Sequence, residues 1–120
     1  SRVPFLELEN ESSGTSSEQM RRKVESAREI QKKRMLDRGK LFNSQMETKE
    51  LEHFCRLDGK RAEFMKKAFD EMKLSARGYA RILKVARTIA DLEGAEEIEL
   101  KHLQEALCYR STVHMYWKGR

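Results

Sequence analysis

Arg77 is the residue whose placement most suggests chemistry. It stands two positions after Ser75, a side chain suited to cap a helix, so it falls in the first turn of the helix that follows. Unsatisfied amides and the helix dipole at that end favour an anion, and a cation there works against the dipole. One reading is a solvated arginine that snorkels over Tyr79 or the bundle surface. The other is a guanidinium fork that, with the helix end, meets a phosphate. A second concentration of charge lies upstream. Between Met20 and Lys40 stand nine basic residues, Arg21, Arg22, Lys23, Arg28, Lys32, Lys33, Arg34, Arg38 and Lys40, against three acidic ones, Glu25, Glu29 and Asp37. That local balance of +6, in a chain of net charge +5, leaves −1 for the remainder. Arg21, Arg22, Lys23, Arg28, Lys32 and Lys33 are therefore the candidates for contact with a nucleic-acid backbone, where clustered cations release condensed counterions. The same run also fits a solvated helix face, and it lacks interleaved aromatic residues for base stacking.

Other chemistries find no footing. A P-loop needs Gly-x-x-x-x-Gly-Lys-Ser/Thr so that amides, lysine and hydroxyl converge on one phosphate tail. Gly39-Lys40 has Arg34 at the upstream glycine position and Leu41 after the lysine; Gly59-Lys60 has Phe54 and Arg61. No nucleotide is held by this route, and no cofactor is expected in the isolated chain. His53, His102 and His114 fall on different elements without metal-ligand spacing. Cys55 beside His53 is no nucleophile pair, because i and i+2 residues point apart on a helix and Cys55 joins an apolar stripe. Cys55 and Cys108 have no CxxC partner, so both are expected to be reduced and buried. No catalytic residues are assigned.

The elements that position these residues are helices. Hydrophobic and charged residues each make up 38% of 120 residues, a balance that folds in part, and Leu, Met, Ala, Glu, Lys and Arg dominate after residue 17. Val3 to Leu8 reads as an extended piece whose sheet would belong to a preceding domain, and Glu9 to Ser17 as a polar linker. Ser16 and Gln19 have capping-box spacing, and Met20, Val24, Ala27 and Ile30 recur at helical intervals to about Leu36. A break at Arg38 to Gln45 precedes a short helix from Thr48, with Asp58-Gly59 punctuating its end. Phe64, Met65, Ala68, Phe69 and Met72 form the stripe of a third helix, ending near Leu74. The fourth buries Tyr79, Ile82, Leu83, Ala86, Ile89 and Ala90, presents Arg77, Arg81, Lys84, Thr88 and Asp91 on the opposite stripe, and ends at Gly94. Leu103, Ala106, Leu107 and Tyr109 pack a fifth helix to about Arg110. The domains expected are thus a tail over 1–17, a compact all-α bundle of four to five helices over 18–110, and a tail over 111–120. No run approaches a membrane span, so no membrane partner is expected and the expected compartment is the cytoplasm.

The run from Leu74 to Leu92, with Ser75-Ala76-Arg77-Gly78-Tyr79 at its head, followed by Ile98, His102-Leu103, Glu105-Ala106-Leu107 and Tyr109-Arg110, resembles the C-terminal domain of the magnesium-chelatase-like AAA+ ATPases, YifB/ComM branch. Weaker agreement comes from Glu11-Ser12-Ser13, Arg21, Val24, Ala27-Arg28 and Gln31, and from Asn43, Met46, Phe54-Cys55 and Leu57, so the likeness spans about residues 11 to 110. The resemblance implies the helical lid that follows a nucleotide-binding core, with ATP and Mg held in the full-length parent. It aligns Arg77 with the sensor-2 arginine that reaches the γ-phosphate. The implied partners are the AAA+ core of the same polypeptide, neighbouring subunits of a homo-hexameric ring, and DNA on which such rings move in branch migration. The Walker motifs and the arginine finger are absent, so the fragment itself is not expected to be an enzyme. Metal insertion into a tetrapyrrole does not transfer on shared fold alone. Two other readings stay open: a self-contained DNA-binding module using the basic helix, and a protein-interaction bundle using the exposed faces of the third and fifth helices.

Overall fold

The computed structural model describes the backbone of residues 14–118 and the side chains of residues 17–109. Among these the chain is all-α, with five helices and no strand. They are α1 (Gly14–Met35), α2 (Thr48–Phe54), α3 (Gly59–Glu71), α4 (Ala76–Glu93) and α5 (Leu100–Lys118). Two 3-10 turns, Leu36–Arg38 and Asn43–Gln45, fill the break between α1 and α2. The extended piece at Val3 to Leu8 lies outside the described residues.

α4 is the central element. It packs against α5, α1, α2 and the Asn43–Gln45 turn, while α5 also meets α3. The local signals for α4 act as the sequence predicts. Ser75 is the N-cap, its Oγ accepting the Gly78 N–H at 3.0 Å, and Gly94 closes the helix at φ 74°, donating to the Ala90 and Asp91 carbonyls. Ile82, Leu83, Ala86 and Ala90 are buried, with Tyr79 and Ile89 partly so. Ile82, Leu83 and Ala86 share one core with Leu103, Ala106 and Leu107 of α5, Met65 and Ala68 of α3, and Met35, Met46, Cys55, Leu74 and Ile98, and Tyr79 and Ile89 pack against it. Side chains as enclosed as Ile82, Leu103 and Met65 each stabilise the bundle by about 1.5–3 kcal/mol through removal from water.

Several boundaries and faces differ from the sequence reading. Asp58-Gly59 opens α3, with Asp58 as its N-cap, whereas α2 has already ended at Phe54. The α3 terminus is closed by Lys73 at φ 52°, whose successor Leu74 donates to the Phe69 carbonyl at 3.0 Å. α5 runs on as helix through Lys118. Tyr109, inward by periodicity, and Cys108, expected to be buried as a reduced thiol, lie instead on its outer face, Tyr109 at 65% exposure, because Leu103, Ala106 and Leu107 already fill the side facing α4. Cys55 is buried, and burial pushes its thiol up to about 11. The packed face of α1 is also rotated from the expected one. Met20 and Ile30 are exposed, whereas Ala27, Gln31 and Met35 are buried and Arg34 is half-buried, so hydrogen bonds from Gln31 and Arg34 join the apolar packing of Ala27 and Met35 in docking this helix.

The loop ends are tied by side chains. Arg61 in the first turn of α3 donates to the Ile98 carbonyl at 2.7 Å and pairs with Asp58 and Glu97, clamping α3 to the α4–α5 connection. The buried His102 accepts the Glu99 N–H on Nδ1 at 2.8 Å, which leaves Nε2 to donate to Glu93 at 3.0 Å. His102 is thus a cap for α5 that ties it back to the end of α4. No helix among the described residues is long and apolar enough to cross a membrane.

Candidate functional site

Arg77 is exposed, in the first turn of α4. Its backbone is held on one side by the Ser75 cap and on the other by the partly buried Tyr79. Tyr79 meets Phe69 edge-on, with ring centroids 5.7 Å apart, and its phenol pKa is pushed up by burial. Among the described residues neither a carboxylate nor an aromatic ring engages the Arg77 guanidinium. The side chain is therefore anchored at its root and open at its tip.

All six basic candidates on α1, Arg21, Arg22, Lys23, Arg28, Lys32 and Lys33, are exposed. Arg21, Glu25, Arg28 and Lys32 share one stripe, and at 1.5 Å per residue the three cations are separated by roughly 10 and 6 Å along the axis. Arg22 makes only a loose, solvated pair with Glu18 at 3.7 Å. The remaining three cations of the basic run are engaged. Lys40 and Arg38 both reach Glu50, at 2.8 and 3.2 Å, and Glu50 accepts the Glu47 N–H at 2.7 Å. The Lys40 hydrogen bond, then that backbone donor, hold the Glu50 carboxyl down at about 2. Arg38 also lies over the Phe54 ring, 5.1 Å from its centroid.

Arg34 carries the least expected arrangement. Its two terminal nitrogens make a bidentate contact with Asp91, at 2.8 and 2.6 Å, and one also donates to the Asn43 Oδ1 at 2.9 Å. Asn43 Nδ2 donates to Asp91 at 2.9 Å and to the Thr88 hydroxyl at 3.0 Å, while its backbone N–H donates to Gln31 Oε1 at 3.1 Å. Arg87 completes the hub. Its Nε donates to Asp91 at 3.1 Å, and its terminal nitrogens donate to the Ala95 and Glu96 carbonyls at 2.8 and 3.0 Å. One carboxylate, with no exposed side-chain surface, thus sits between two guanidiniums that are 11% and 4% exposed. Desolvation lowers the Arg87 pKa, opposed by Asp91. No side-chain nitrogen or oxygen buried here among the described residues lacks a partner.

The solvent-facing stripe expected of α4 is therefore correct at one end only. Arg77 and Arg81 are exposed, Lys84 and Thr88 half-buried, and Asp91 buried, because the end of α1 and the Asn43 turn cover the last two turns of the helix. Lys84 reaches the Ser44 carbonyl at 3.3 Å along the same covered edge. Sequence reasoning misses the hub. Its one visible signal is Arg87, a charge placed within the apolar stripe between Leu83 and Ala90, with Asp91 one turn on.

Residues 14–110 match the model of the family described as magnesium chelatase, subunit ChlI C-terminal. The chain is 48% identical over 105 residues to the competence protein ComM of Haemophilus influenzae, covering 88% of this chain and 20% of that protein. It is 40% identical over 98 residues to YifB of Escherichia coli, with coverage of 82% and 19%. To YifB of Salmonella typhimurium it is 37% identical over 108 residues, with coverage of 90% and 21%. The chain spans about a fifth of the length of these relatives. Arg77, the basic face of α1 and the whole Asp91 hub fall inside the matched span. The chain therefore belongs to the magnesium chelatase ChlI C-terminal family, and it is a C-terminal domain of the kind carried by ComM- and YifB-like proteins.

Proposed function

We propose that this domain is the helical lid of an AAA+ ATPase, in which Arg77 acts as the sensor-2 residue that reads the γ-phosphate of ATP. The observation that carries the reading is the state of Arg77: exposed, rooted in a capped first turn, and unengaged among the described residues. A guanidinium beside a helix N-terminus fits a phosphate oxygen, since both the fork and the helix end favour negative charge. The chain brings no P-loop, so a core domain of the same polypeptide holds ATP and Mg.

Arg77 has a partner while the γ-phosphate is present and is without it after hydrolysis. That differential interaction is what can bias lid position. The bias acts on α4, the helix on which α1, α2 and α5 all pack, and so on the bundle as a whole. Neighbouring subunits of a homo-hexameric ring would receive the motion. DNA is the substrate this reading assigns to the parent, as in branch migration or helicase-like movement, in the cytoplasm. The six exposed cations of α1 favour direct binding to DNA.

The test is ATP turnover by the full-length parent, wild type against Arg77→Ala, with helical content and melting measured on both. A decrease of about tenfold or more, roughly 1.4 kcal/mol in the barrier, with folding intact is expected. Unchanged turnover would reduce Arg77 to a surface arginine. For α1, replacing Arg21, Arg28 and Lys32 by Gln should flatten the salt dependence of DNA binding by about 0.9 in log–log slope for each phosphate that is no longer neutralised. An unchanged slope removes α1 from the interface.

A further inference from the structure

α1 and α4 are the two helices that carry the exposed cations, and they meet at one place. The buried residues of α1, Ala27, Gln31 and Met35, and the hub's Arg34 follow a half-buried Val24, whereas residues 17–23 are exposed throughout. Residues 17–23 of α1 thus form an exposed arm, and the Asp91 hub lies beyond its base. On α4 the hub occupies the last turns, and Arg77 lies on the same stripe some 20 Å up the axis at 1.5 Å per residue.

We infer that the hub is a weld: it fixes α1 to α4 in distance and angle, so that the basic arm and the helix bearing Arg77 turn as one piece. Apolar packing alone tolerates sliding, because the hydrophobic effect is non-directional. The interactions here are directional. A planar guanidinium gripping a carboxylate through two parallel hydrogen bonds admits one orientation, and the Asn43 amide ties a third segment to both partners. The weld is braced from both sides. Gln31 holds the backbone of Asn43 from α1, and Arg87 holds Asp91 while gripping the carbonyls of Ala95 and Glu96 just beyond α4. To tilt α1 on α4, all of these must break together, leaving a buried carboxylate and two guanidiniums without their geometry. The consequence is mechanical: a rotation of α4 started at its Arg77 end swings the arm of α1 through the same angle, with no hinge between them. The weld is independent of the ATP reading; only the cause of the rotation rests on that reading.

The experiment measures the distance between spin labels at Glu29→Cys on α1 and Arg81→Cys on α4, both exposed positions, in the full-length parent with its other accessible cysteines replaced. Cys55 can stay, since its buried thiol resists labelling. A narrow distribution with the same centre in ADP and in a non-hydrolysable ATP analogue is expected for the wild type. Broadening is expected for Arg34→Met, and a smaller broadening for Arg34→Lys, which keeps the charge without the fork. A centre that moves between nucleotide states would overturn the inference, because the two helices would then be hinged. So would an Arg34→Met distribution as narrow as the wild type. If Arg34→Met does not retain helical content, Arg34→Lys decides on the same two criteria. Unchanged ATP turnover in Arg77→Ala alongside the expected distances would sink the ATP reading and leave the weld standing.

Discussion

Replacing Asp91 by Asn is the sharpest test of how this domain is held together. The substitution keeps the shape, with one side-chain oxygen still able to accept, but removes the anion between Arg34 and Arg87. It also turns an amide NH2 toward guanidinium donors that in the native chain stand 2.6–3.1 Å from carboxylate oxygens. Asp91 has no exposed side-chain surface and Arg87 is 4% exposed, so solvent cannot screen the change. Removing one partner of a buried ion pair costs about 3–5 kcal/mol, because the other charge stays buried and uncompensated. Here two cations are left, although Arg34, at 11% exposure, can turn partly toward water, so about 3–4 kcal/mol is the expected destabilisation. A domain of this size has roughly 5–15 kcal/mol in total, and its melting temperature falls by about 4 °C or more per kcal/mol. Urea and thermal unfolding of the 120-residue chain, followed by helical circular dichroism, should therefore show a drop on the order of 12–20 °C. Arg22→Gln, which breaks only the solvated pair with Glu18, is the control and should change stability by less than about 0.5 kcal/mol. A destabilisation below about 1 kcal/mol for Asp91→Asn would refute the reasoning, since it would mean that the hub is wet or already broken in solution.

The acid limb of stability reads out a second cluster. Glu50 titrates at about 2 in the folded chain against an ordinary 4.5, so its contribution is complete above about pH 4.5 and disappears as pH falls toward 2. Glu50→Gln should flatten the fall of unfolding free energy in that window without abolishing it, because Asp58 and Glu93 are also held below their usual values by Arg61 and by His102 with Lys101. An identical acid limb in the variant would show that Glu50 has no part in it. Gly94→Ala puts a Cβ on a residue at φ 74° with open space around it, so the cost is backbone strain alone, about 1–2 kcal/mol in urea unfolding. Lys73→Gly is the mirror case. At φ 52° a non-glycine residue closes α3, and glycine should raise stability by a few tenths to about 1 kcal/mol; destabilisation would show that the Lys73 side chain contributes packing of its own.

The helices are legible in the sequence where local rules act alone. Ser75 and Gly94 delimit α4 through a cap and a left-handed turn, Thr48 begins α2, and the apolar spacing of Leu103, Ala106 and Leu107 marks the face that α5 turns to α4. The errors arise where a distant segment decides. Periodicity assigns a charge to water unless something is known to meet it, so it places Asp91 on the solvent side along with Arg77. The partner Arg34 lies 57 residues away, in a run whose total charge reads as one solvated face. Hydropathy prefers Ile30 to Gln31 as an inward residue of α1 for the same reason: the acceptor that Gln31 offers to Asn43 has no local signature. Arg77 stands out from the sequence because its peculiarity, a cation at the wrong end of a dipole, is local.

On the proposed reading, one stripe of α4 serves two purposes. Arg77 to Asp91 is a single polar row, and the fold covers it progressively, exposed at the start and sealed at the end. A buried charge such as Asp91 is held against water only by partners that cannot move, whereas an exposed charge such as Arg77 is available because none of the described residues holds it. Placing both on one rigid helix separates the group that can respond to an outside anion from the groups that fix the response to α1. Were the weld at the Arg77 end, the guanidinium would already be engaged. Were it absent, a force on Arg77 would tilt α4 within its own bundle and dissipate in side-chain rearrangement. If Arg77 meets an anion as proposed, the order along the helix, open tip first and fixed base last, is the arrangement that would let that local interaction become motion of a whole domain.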